Sequence, residues 1–190
     1  MSPILESIGS VKGFGWGALA ASGSFESIST VTVSTAVSSI SFTSIPATYT
    51  HLQIRMHVRN TSTSNGYNMR MNSDTGNNYA RHYLYSTGAA IGAANNVSTS
   101  SMILADAGIS TSTAGVFGSS FCDILDYRNT SKNKTIKTFG GFDNNGNGLV
   151  SLTSGLWFAT PAAVTTLTIF PDAGNFAQYS SFALYGIKGE

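Results

Sequence analysis

The chain has 190 residues, one cysteine and a formal net charge of +1. That length suits one domain with a core of its own, and the near-neutral balance excludes a bulk field that would steer nucleic acid or an anionic membrane. Only 10% of residues are charged, against about 25% in ordinary domains, and Ser and Thr make up about a quarter of the chain.

Residues 1–23 carry glycines at 9, 13, 15, 17 and 23 and no period-two or helical pattern. They read as an extended N-terminal arm ahead of a domain spanning 24–190. Within the arm Phe14 and Trp16 stand two residues apart, so an extended backbone points both rings the same way. The arm has one Lys in its first twenty residues and no long apolar run, so it is neither a secretory signal nor a membrane span. The expectation is synthesis in a cytoplasm and no membrane insertion.

The domain opens with "FESISTVTV" (25–33) and "SISFTSI" (39–45), two strands around a turn of small residues. The clearest pattern follows in "HLQIRMHVRN" (51–60). Leu52, Ile54, Met56 and Val58 share one face, and His51, Gln53, Arg55, His57 and Arg59 share the other, which is a half-buried strand. "YNMRMN" (67–72) places Tyr67, Met69 and Met71 inward, and "YARHYLYS" (79–86) is another strand. Residues 86–100 are Gly, Ala, Asn and Ser and read as an exposed loop. Five further strands fall in 101–106, 115–127, 135–143, 149–158 and 164–170, with "NNGNG" as a hairpin turn between the third and fourth of these. A last strand lies in 180–188. Eleven short strands and no helix predict an antiparallel β-sandwich of jelly-roll type.

Little in this pattern carries chemistry. His51 and His57 share a face but sit six residues apart, roughly 20 Å along a strand, too far to share a metal. Asp123 and Asp126 are offset by three and face opposite ways, which is not a general acid and base. Cys122 in an apolar run reads as a buried inert thiol, and one cysteine excludes an intrachain disulfide. "DNNGNG" (143–148) matches half of a calcium loop but has Ser154 where the bidentate acid belongs, so it reads as a turn. No catalytic residue, metal or cofactor is expected. The "ARHYLY" segment carries one site with two readings. Arg81, Tyr83 and Tyr85 share a strand face, which is either an exposed sugar- or protein-binding row or part of the core.

The segments 25–33 and 39–59, "DTGNNYARHYLY" (74–85), "DILDYRNTSKNKTIKTFGGFD" (123–143) and "LTIFPDAGNFAQYSSFALYGIKG" (167–189) resemble, in the same order, a family of small virion proteins of tailed bacteriophages, aquatic ones especially. The arm "ILESIGSVKGFGWGAL" (4–19) is similar to leaders on phage appendage proteins. The resemblance implies a virion structural protein, made in the host bacterial cytoplasm. Its role would be an appendage or tail-fibre-type subunit in contact with the host surface, and a capsid decoration or cement protein is the alternative. A free carbohydrate-binding module is a further alternative. The resemblance brings no catalytic residues, and the scattered acids and near-neutral charge lead to the expectation of no enzyme and no nucleic-acid partner. The partners would be other virion proteins and a host-surface glycan, and the aromatic arm with the low-charge surface adds further copies of this chain, a homotrimer favoured. Phe14 and Trp16 are then the expected assembly anchors.

Overall fold

The structure is a computed structural model and describes residues 24–189. Within them lie twelve strands and no helix: β1 (Phe25–Thr32), β2 (Ile40–Phe42), β3 (His51–Val58), β4 (Gly66–Met71), β5 (Tyr79–Ser86), β6 (Ile91–Thr99), β7 (Met102–Asp106), β8 (Gly118–Ile124), β9 (Lys134–Asp143), β10 (Gly148–Trp157), β11 (Leu167–Pro171) and β12 (Ser181–Ile187). All pair antiparallel. They form an eight-stranded sheet, β1-β12-β3-β8-β9-β10-β5-β6, and a four-stranded sheet, β2-β11-β4-β7. The protein is an all-β sandwich.

The order has a simple logic. β1 pairs with β12, β2 with β11, β3 with β8 and β4 with β7. The chain is thus one long hairpin whose nested pairs are dealt alternately to the two sheets. Two shorter hairpins, β5–β6 and β9–β10, are inserted into it, and both extend the larger sheet beyond β8.

The core lies between the sheets, and its register follows the alternation of the strands. Leu52, Ile54, Met56 and Val58 of β3 are all buried, opposite Cys122 and Ile124 of β8 and Phe182 and Leu184 of β12. Met69, Met71 and Tyr67 of β4 and Leu167 and Ile169 of β11 supply the facing layer. Tyr67 bridges the layers through a hydrogen bond between its hydroxyl and that of Ser120. Burial in this apolar layer pushes the Tyr67 hydroxyl well above the usual phenol range.

One expectation is corrected. The segment 86–100 is not a loop throughout, because Ile91–Thr99 forms β6 and pairs with β5. β6 closes the sheet as an edge strand with no buried residue, so it never needed alternating apolar side chains. The first two strands do not pair with each other across their turn. β1 joins β12 in one sheet and β2 joins β11 in the other, and the link between them crosses from layer to layer.

Candidate functional site

β7, the edge of the small sheet, lies over β9 and β10 and only reaches β5. The β5–β6 hairpin therefore overhangs the core. Arg81, Tyr83 and Tyr85 stand on the inner side of that overhang. Register fixes this: Tyr83 is opposite Thr153, then Thr138, Cys122 and Ile54, all buried, in one continuous row. All three site residues are half-buried. They are neither a fully exposed row nor closed core, and Leu84, their neighbour on the other face, is the exposed residue.

Side-chain packing organises these residues into a platform. The Arg81 guanidinium lies 3.9 Å from the Tyr83 ring centroid, and its Nε donates to Asn96 Oδ1 on β6 at 2.8 Å. The Tyr83 and Tyr85 rings stack with centroids 5.7 Å apart. Tyr85 in turn covers Gly92, where any Cβ would collide with the ring. Asp106 at the end of β7 faces the same space. Its Oδ2 accepts from Ser151 Oγ at 3.3 Å. Burial raises its carboxyl above the usual range, against the Ser151 hydrogen bond and the attraction of Arg81. Burial likewise lowers the Arg81 guanidinium. The result is three stacked planar groups beside a desolvated carboxyl, with two phenol hydroxyls that have no hydrogen-bond partner among the described residues. Such a surface can stack on the apolar face of a sugar ring and hydrogen-bond its hydroxyls.

The opposite face of the same sheet holds a feature that the sequence reading did not find. Phe121 of β8, Phe139 of β9, Leu152 of β10 and Leu84 of β5 are directly opposite one another in successive strands. All four point outward and are 42–55% exposed. Arg55 and Ala93 continue the row at its two ends. One flanking row is polar: Gln53, Asp123, Lys137, Ser154, His82 and Asn95. The other runs Ser119, Gly141, Val150, Ser86 and Ile91, and a shallow hollow of about 760 Å³ lies beside Gly141. Contiguous exposed apolar side chains on a sheet mark an interaction surface.

The remaining candidates occupy structural positions. Cys122 is fully buried, and burial pushes its thiol up to about 12. Asp123 accepts from Gln53 Nε2 at 2.8 Å on the outer face, whereas Asp126 sits in the turn after β8 and pairs with Lys132 at 2.9 Å. Asn145 and Gly146 have φ of 54° and 99°, the values of a two-residue hairpin loop between β9 and β10. Among the described residues no group of three or more His, Cys, Asp or Glu side chains is placed to hold a metal, and no helix is long and apolar enough to cross a membrane. Phe14 and Trp16 lie outside the described residues. No protein-family model matches the chain, and no curated protein matches it in sequence.

Proposed function

We propose that this chain is a structural protein of a tailed-bacteriophage virion, an appendage or tail-fibre-type subunit whose sandwich is displayed and whose residues 1–23 attach it. The observation that carries the reading is the in-register apolar row Phe121–Phe139–Leu152–Leu84, left uncovered by every other part of the described domain. An exposed apolar row of this kind marks an interaction surface, and a subunit would bury it in an assembly. The nested pairing of β1–β4 with β7, β8, β11 and β12 supports a jelly-roll ancestry with two added hairpins. The sequence resemblance to small virion proteins points the same way.

The test is a cryo-EM map of the particle with this chain located in it. Density at a tail appendage supports the reading, density on the capsid lattice makes the chain a decoration protein, and absence from purified particles overturns both. Changing Phe14→Ala with Trp16→Ala should leave the domain folded and abolish its incorporation. Normal incorporation would remove the arm from the attachment role.

The Arg81–Tyr83–Tyr85 platform favours a second property, contact with a host-surface glycan. Its stacked rings and adjacent Asp106 suit a neutral or amino sugar. Retention on bacterial surface polysaccharide, lost in Tyr83→Ala and kept in Leu84→Ala, is the expected outcome. Equal retention by both variants would dismiss it.

A further inference from the structure

The outer face of the eight-stranded sheet is self-complementary, and we infer that it docks on the same face of a second copy of this chain. The inference rests on reading that face as an assembly surface. Its geometry goes further, because it selects both the occupant and the symmetry.

Consider a two-fold axis lying between two such faces, parallel to the strands and passing between β9 and β10. It sets β9 against β10, β8 against β5 and β3 against β6, and it keeps every row opposite itself. Six strands, β3-β8-β9-β10-β5-β6, are then divided evenly about the axis. In the apolar row Phe139 meets Leu152 of the second copy, Phe121 meets Leu84, and Arg55 meets Ala93. In the polar row Asp123 meets His82, Lys137 meets Ser154, and Gln53 meets Asn95. In the third row Val150 meets Gly141, where the hollow of about 760 Å³ receives it, and Ser119 meets Ser86. No charge meets its like, large side chains meet large ones at the centre, and the one bulky residue of the third row near the axis meets a glycine.

The other in-plane axis, along the apolar row, fails this comparison. It sets Lys137 against Gly141 and Asp123 against Ser119. It also sets Arg55 against Arg55 of the second copy, so like charges meet, which the first axis avoids. Size also agrees. With strands about 4.8 Å apart and residues on one face about 6.8 Å apart, six strands by three rows cover about 590 Å² in flat projection, near the roughly 600 Å² per partner at the lower end of standard interfaces.

The experiment is the mass of the full chain in solution at micromolar concentration, by light scattering. The expected mass is twice 19.9 kDa. Phe121→Glu and Leu84→Lys should each halve it. The chain carrying both should dimerise again, because residues 121 and 84 meet only between copies and are separated by β9 and β10 within one. Circular dichroism should stay unchanged throughout, since both positions are exposed. If Phe121→Glu does not fold, Phe121→Cys combined with Leu84→Cys replaces it and should give a covalent dimer on mild oxidation. The buried native Cys122 does not compete. A monomeric or trimeric parent chain overturns the inference. So does a dimer that Phe121→Glu leaves intact, or one halved instead by Phe14→Ala with Trp16→Ala. A monomer that is nonetheless found in particles defeats this pairing and spares the virion reading. A dimer absent from particles does the reverse.

Discussion

Tyr79 and Trp157 face each other across the β5–β10 pairing, stack with ring centroids 6.5 Å apart, and send their polar ends to one residue, Asp74. Trp157 Nε1 donates to the Asp74 carboxylate at 2.7 Å, and the Tyr79 hydroxyl donates to the Asp74 carbonyl at 3.2 Å. The same hydroxyl accepts from the Met71 amide at 3.0 Å. A buried aromatic pair and the β4–β5 turn are thereby locked together. Asp74→Ala leaves the indole N–H without its acceptor and should cost about 1–3 kcal/mol in urea unfolding. An unchanged midpoint would show that water replaces the carboxylate without loss.

Acid should act through the same residue. Burial opposes the charged Asp74, but hydrogen bonds from Trp157, Asn78 and the Gly76 amide outweigh it and hold the carboxyl below its ordinary value. A depressed folded value means stabilisation that is full above the unfolded value of about 4 and is lost as pH falls through the folded one. The melting temperature should therefore drop below pH 4 by more in the parent chain than in Asp74→Asn. Parallel curves for the two chains would refute this.

Arg59 predicts a loop defect separable from stability of the core. Its guanidinium donates to the carbonyls of Val116 at 2.8 Å, Ser112 at 2.9 Å and Thr113 at 3.0 Å, tying the segment between β7 and β8 to the end of β3. A lysine ammonium carries charge without the planar fork. Arg59→Lys should speed amide exchange at Thr113 to Val116 while Ile54 and Leu184 stay protected. Uniform protection in both chains would show that the fork is dispensable.

Ile54 lies at the centre of the large sheet, fully buried between Cys122 and Leu184. Ile54→Ala should cost about 2–5 kcal/mol, the usual range for truncating a closed core position. A loss below that range would place a compensating collapse around β3.

The β9–β10 turn predicts no role for calcium. Asn144 N donates to Asn147 O at 2.6 Å, and Asn145 N donates to the Asp143 carboxylate at 2.7 Å, so the one acidic side chain of the turn is engaged by its own backbone. Chelation should not shift the melting temperature. Gly146→Val, forced to a φ of 99°, should lower it, with a loss of stability above roughly 1 kcal/mol. A chelator-dependent melt would reopen the calcium reading.

The sandwich was legible wherever a strand has one wet face and one dry face. β3 alternates because Leu52 to Val58 point into the core and His51 to His57 point away from it. β6 was not legible, since it buries no residue and so carries no alternating apolar pattern. β5 was ambiguous for a related reason: Tyr83 and Tyr85 on one face and Leu84 on the other are all large, and only the register to Thr153 and Cys122 tells inside from outside. The outer apolar row was hidden more deeply. Each strand contributes a single residue to the row, and Leu84, Phe121, Phe139 and Leu152 become neighbours only when four strands from three parts of the chain are laid side by side. Phe14 and Trp16 belong to a pattern that has no periodicity to read.

The nested pairing of β1 with β12 also dictates the order in which the protein can be made. β12 sits between β1 and β3, so the last of the described strands completes the middle of one half of the large sheet. Until it leaves the ribosome, β1 has no partner and β3 presents a bare edge along Leu52 to Val58. Closure waits on contacts more than 120 residues apart in sequence, such as Met56 with Phe182, and such topologies fold slowly. Nascent chains are exposed to edge-to-edge association throughout that interval, and the half-finished sheet is the state most in need of a chaperone.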